Sequence, residues 1–146
     1  MTSQNDVEAN IEMVRRAIAA ISAGDLQALV ATTTHDYIRD DLADAFTADS
    51  ADSLTTFITM IRAALPDFRM EITDIFGADD RVAAQLRLSG THEGEFLGAP
   101  PTGRHVAING ISHYRFRDGR IHINTQLIDM AGLMRQLTAQ PAPASA

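Results

Sequence analysis

Apolar residues recur at helical spacing through the first part of the chain: Val7, Ile11, Val14, Ile18 and Ile21 stand three or four apart. This predicts an amphipathic helix over about residues 6–23, opened by a capping box of Asn5 and Glu8 and stopped by Gly24. Asp25 can cap a short second helix carrying Leu26, Leu29 and Val30. HDYIRDD, residues 35–41, reads as a short extended piece. A third helix, capped by Asp52, presents Leu54, Phe57, Ile58, Ile61 and Leu65, and Pro66 ends it.

From Phe68 the period falls to two. FRMEITDIF and VAAQLRLSGTH read as strands joined by the turn GADDR, and GEFLGAPPTG is too rich in Gly and Pro for regular structure. HVAINGISHYRF and RIHINTQLI follow as a hairpin around RDGR. Asp129 can cap a short last helix, MAGLMRQL. In RIHINTQLI strict alternation puts His122, Asn124, Gln126 and Ile128 on one face and Ile121, Ile123, Thr125 and Leu127 on the other. One face of this strand therefore carries a row of hydrogen-bonding groups.

Helices first and a meander of strands afterwards imply an α+β fold, a cone-shaped curved antiparallel sheet with helices packed on its concave face. The interior of such a cone is a natural small-molecule cavity. The expected organisation is one domain over residues 1–138 and a disordered Pro/Ala-rich tail, residues 139–146.

Composition narrows the partners. A net charge of −7 argues against nucleic acid, and no basic amphipathic face or long apolar run points to a membrane. The absence of cysteine excludes disulfides, zinc–thiolate sites and thiol nucleophiles. The N-terminal stretch MTSQNDVEAN lacks signal-peptide character, so the expectation is a soluble cytoplasmic protein. The histidines show no metal-ligand spacing and there is no Gly-rich phosphate loop in a strand–turn–helix setting. With 5% aromatic residues and no Trp, aliphatic side chains and Phe would line the cavity.

GTHEGEFLGAPPTGRHV, YRFRDGRI and DMAGLMRQL resemble the signature of the SnoaL-like polyketide cyclases, part of the nuclear transport factor 2-like superfamily. RAIAAISAGDLQAL, followed by HDY, is similar to that superfamily's first helices, so the resemblance spans about residues 7–137. It implies the same α+β barrel. It also implies intramolecular aldol ring closure of polyketide-type substrates with no metal or cofactor, and a related branch assigned to hydroxylation. In the family an aspartate on the last strand acts as acid/base, helped by a histidine on the preceding strand. Carried onto this chain, those positions are Gln126 and Ser112. An amide cannot shuttle a proton, but it can donate a hydrogen bond to an enolate oxygen.

The expected site therefore has Gln126, His122 and Asp40 in catalytic roles. Gln126 would stabilise an oxyanion, and His122 is the spare proton carrier on its face. Asp40 would be a relocated base if it turned inward. Asn124, Ser112, Ile128, Arg39 and Phe57 would bind substrate. Each has a plainer reading too: His122 at an exposed strand end, Arg39 and Asp40 in a solvated loop. His92 reads as a structural residue of the following loop. Arg87 could bind an anion or face a neighbouring subunit. The functions compared are a cofactor-free cyclase or isomerase, a cofactor-free hydroxylase working with a reductase partner, and a non-catalytic binding module. A homodimer through the outer face of the sheet is expected, with His113, Tyr114, Arg115, Ile121 and Ile123 on or near the interface.

Overall fold

A computed structural model describes residues 3–42 and 46–138; the tail expected over 139–146 lies outside the described residues. Helix α1 (Gln4–Ala23) begins at Ser3, whose hydroxyl accepts from the Asp6 amide while the Asp6 carboxylate accepts from the Ser3 amide. The capping box is thus Ser3/Asp6, one turn earlier than Asn5/Glu8. Gly24 closes the helix with φ 71°, a left-handed conformation that needs glycine. Asp25 caps α2 (Leu26–Ala31) as expected. Strand β1 (Thr33–Asp41) follows, then α3 (Ala51–Ala64), which is capped by Ser50 in place of the expected Asp52.

Strands β2 (Arg69–Ala78), β3 (Arg81–Thr91), β4 (His105–Arg117) and β5 (Arg120–Ile128) form the predicted antiparallel meander, and α4 (Met130–Thr138) ends the described fold. The β4–β5 hairpin turns on Asp118 and Gly119, both at positive φ, the two-residue geometry that matches strand twist. The five-stranded order is β1-β5-β4-β3-β2. β1 pairs with β5 in parallel, so the sheet is mixed, not purely antiparallel. A parallel pair needs a crossover connection, and α3 with the meander supplies it.

One face of the sheet carries Val82, Ala84, Leu86 and Leu88 from β3 and Val106, Ile108, Tyr114 and Phe116 from β4, all buried. Helices α1, α3 and α4 pack around this face. The residues that carried the family resemblance staple the layers together. Gln136 on α4 holds both backbone groups of Ala107, at 2.9 Å each. Arg104 reaches the carbonyls of Gln136 and Leu137 at the C-terminal end of α4. Asp129 caps α4 through the Gly132 amide at 2.8 Å, and it fills the space that any side chain at Gly132 would need. His92, fully buried, accepts at Nδ1 from the Thr102 amide at 3.2 Å and so fastens the Gly/Pro-rich loop.

Candidate active site

The concave face closes on an apolar cavity of about 80 Å³. Phe46, Phe57 and Phe96 come from three separate parts of the chain to narrow one side of it. Phe46 lies 5.0 Å from Phe57 and 6.2 Å from Phe96 between ring centroids. Phe46 is held by two backbone devices. Arg39 and Ala48 form a two-way bridge at 2.8 and 3.1 Å, and the Phe46 amide donates to Asp41 Oδ2 at 3.0 Å.

The polar part of the cavity lies where β1, β5 and β4 run side by side. Arg39, Asn124 and Tyr114 form one row across the three strands. Two residues further along, Asp41, Gln126 and Ser112 form a second row. All six are buried. Tyr37, also buried, precedes Arg39 on the same face. Asn124 Nδ2 donates to Gln126 Oε1 at 3.1 Å, which fixes the Gln126 amide. Burial pushes the Tyr37 phenol above its ordinary range, against the opposing pull of Asn124 and Arg39. Burial does the same to Tyr114, with Ser112 opposing. Both phenols are therefore neutral hydrogen-bond donors near pH 7. Ser112 Oγ itself makes no hydrogen bond of proper geometry among the described residues.

Arg39 is the one cation on the described cavity wall. Its Cζ stands 4.0 Å from the Phe57 ring centroid, a cation–π contact. Burial lowers its affinity for the proton, partly offset by Tyr37, Asp41 and Tyr114 acting at a distance. Among the described residues its Nε and Nη1 have no hydrogen-bond partner, and neither has Asn124 Oδ1.

Of the expected site residues, Gln126, Asn124, Ile128, Arg39 and Phe57 do line one cavity. Three do not. Asp40 alternates with Arg39 and Asp41 and points outward, so the inward carboxylate is its neighbour Asp41. Ser112 is fully buried in the second row but is not part of the cavity wall. His122 leaves the Gln126 face because of a β-bulge. Arg115 pairs with Ile123 and Phe116 with Ile121, so His122 is the extra residue. The bulge shifts the phase: Ile121, expected outside, lines the cavity, and His122 turns to Thr34 Oγ1 at 3.1 Å. Tyr114 is likewise inward and not at the outer face. Arg87 lies on the outer face, with Nη1 donating to Asn109 at 3.1 Å. Sequence reasoning missed Tyr37, Tyr114 and Asp41. Period two through HDYIRDD and GISHYRF carries that signal, since Tyr37, Arg39 and Asp41 share a phase, as do Ser112 and Tyr114.

The profile of the SnoaL-like polyketide cyclases matches residues 11–137. Aklanonic acid methyl ester cyclase AcmA from Streptomyces galilaeus is 40% identical over 75 residues, 51% of each chain, so the match spans about half the length of that relative. AclR, a candidate hydroxylase from the same organism, superposes with a TM-score of 0.82 at 26% identity, over 93% of this chain and 85% of its own. A candidate SnoaL-like polyketide cyclase from Jannaschia sp. CCS1 gives a TM-score of 0.86 at 20% identity, over 97% and 99% of the two chains, which supports the fold. IdmH from Streptomyces antibioticus, a candidate polyketide cyclase, gives 0.77 at 27% identity over 88% and 97%. With the profile spanning nearly the whole described fold and the cavity set as the residues require, the chain belongs to the SnoaL-like polyketide cyclase family.

Proposed function

We propose that this chain is an enzyme of the cyclase or isomerase type, acting on a small polyketide-type enolate inside the cavity without a cofactor. The observation that carries this reading is the group of buried polar side chains, Tyr37, Arg39, Tyr114, Asn124 and Gln126, at one end of an otherwise apolar chamber. Apolar walls hold the carbon skeleton and exclude water, which strengthens each hydrogen bond to a developing oxyanion. Tyr114, Tyr37 and the Gln126 amide are the donors. In a ring closure the enolate carbon bonds to a carbonyl carbon of the same molecule, and the carbonyl oxygen takes up the displaced charge beside them before it is protonated.

The test is α-carbon deuterium exchange of an enolisable aromatic ketone in D₂O, followed by NMR. Buffer base takes the proton; the protein should accelerate the exchange by stabilising the enolate that forms, and Gln126→Ala and Tyr114→Phe should each reduce the acceleration. No acceleration by the wild-type protein sinks the reading.

Hydroxylation is the second reading. Two observations favour it: Gln126 stands where the family resemblance puts an acid/base aspartate, and the described cavity wall holds no carboxylate or imidazole. An electron-rich substrate reduced by a partner enzyme would then react with oxygen in a dry, oriented site. Conversion that proceeds equally well without oxygen excludes it.

The same proposal extends to assembly. On the outer sheet face Ile38 pairs with Ile123 and Ile111 with Leu127; Ile111 is 61% and Leu127 51% exposed. Neighbouring exposed apolar side chains of this kind suit a homodimer through that face. Light scattering should give a dimer mass that Leu127→Asp converts to a monomer; a monomeric wild type overturns this.

A further inference from the structure

The described cavity wall can hold a negative charge but has no group that can create one. No Asp, Glu, His or Lys side chain is part of it, and its titratable members are Tyr37, Tyr114 and Arg39. Both phenols are pushed upward by burial, so neither serves as a base near neutrality. Arg39, by contrast, is a permanent cation only 3% exposed. Its Nε and Nη1 are sealed from solvent and have no hydrogen-bond partner among the described residues, so no hydrogen bond there replaces the hydration that burial removes. A buried cation with open donors at the polar end of an apolar chamber is complementary to an anionic oxygen. In a chain with net charge −7, nothing at long range favours anions, so their capture falls to this one group.

From this we infer that the substrate enters already carrying its negative charge, as a carboxylate or an ionised enol or phenol, and that Arg39 receives it. The inference rests on the cavity being the substrate site, as proposed above. The Phe57 ring lies over the guanidinium, 4.0 Å from Cζ. An anion that accepts from Nε and Nη1 gains charge-assisted hydrogen bonds, which are stronger than the cation–π contact alone.

The test uses two matched ligand pairs and calorimetry at pH 7: 2-naphthoate against 2-naphthamide, and 2-hydroxy-1,4-naphthoquinone against its methyl ether. In at least one pair the anion should bind about tenfold tighter or more than its neutral partner. The pair with the larger ratio identifies the carboxylate or the enol as the source of charge. Arg39→Met should bring that ratio to within about twofold, with no loss of thermal stability, because removing an incompletely paired buried charge relieves its desolvation. Arg39→Lys should keep part of the preference. Equal binding of anion and neutral partner in both pairs overturns the inference, as does a preference that survives Arg39→Met. If Arg39→Met does not fold, the wild-type ratios decide, together with the Arg39 Nε–H resonance, which must shift on addition of the preferred anion. Anion preference without accelerated deuterium exchange leaves Arg39 as an anion site and removes the enzyme reading. Accelerated exchange with no anion preference does the reverse. Failure of all four ligands to bind overturns the inference.

Discussion

Replacing Gln126 by Asp restores the residue type that the family resemblance places there, and its effect on stability is calculable. Position 126 is 4% exposed, its register partner on β1 is Asp41, and Arg39 stands one row away. Burial and the Asp41 carboxylate both disfavour the ionised form of the new carboxyl, while Arg39 favours it. A net rise of about 3 units, from about 3.9 to about 7, is the expected balance for a site this deep. The folded state then binds the extra proton more tightly than the unfolded state does. Stability of Gln126→Asp relative to wild type must therefore fall as pH rises through the window from about 4 to about 7, and level off on either side. At 1.36 kcal/mol per unit, the ionisation penalty is about 1.5 kcal/mol at pH 5 and about 4 kcal/mol at pH 8. Loss of the Asn124–Gln126 hydrogen bond adds a term that does not vary with pH, so the quantity to read is the change between the two pH values, about 2.5 kcal/mol. Urea unfolding of both proteins, followed by circular dichroism at pH 5 and pH 8, measures it. A difference that moves by less than about 0.5 kcal/mol would mean that the carboxyl is hydrated or fully compensated by Arg39, and the picture of a dry polar end would be wrong.

Ile121→Ala should destabilise by about 2–5 kcal/mol in the same assay, since Ile121 is packed into the cavity wall; a change below about 0.5 kcal/mol would put this side chain outside and dispose of the bulge. Asp36 is held at about 2 by the Arg117 guanidinium, so its contribution to stability is present above the unfolded carboxylate range and is lost as pH falls through about 2. A carbon-13 titration should find that midpoint, and Arg117→Met should return it to near 3.8; an unshifted wild-type midpoint refutes the pair. His92→Ala should cost about 2–4 kcal/mol and make the segment 94–103 the first site of limited proteolysis; an unchanged cleavage pattern would mean that the loop is held by something else.

The elements were legible because each announces itself locally. Helical spacing from Val7 to Ile21, the Asp118–Gly119 turn and the alternation through β3 and β4 fix structure within a few residues of themselves. The family signature was legible for a related reason: Thr102, Arg104, Asp129 and Gln136 hold the loop and α4 in place, and that work constrains residue type tightly. The site was harder to read. Arg39, Asn124 and Gln126 could be nominated, but their neighbours could not, because the rows form only when β1 joins β5 in parallel, across more than eighty residues of sequence. Asp40 is the wrong expectation against the period of its own strand: with Arg39 inward, alternation points to Asp41. His122 was misplaced because a bulge leaves no mark in an alternation of mixed polarity.

That bulge has a consequence for how such a protein could change its chemistry. His122 acts as a spacer that sets which half of the following residues faces inward. The register already skips it, so deleting it would heal the bulge and leave Asn124 and Gln126 facing the chamber. Were His122 instead to take a paired place in the strand, Ile123, Thr125 and Leu127 would face the chamber and Asn124 and Gln126 would turn outward, although no residue had altered. The hydrogen-bonding character of this cavity wall is therefore stored in a spacing as much as in a composition. Gain or loss of one bulge exchanges a polar wall for an apolar one in a single step.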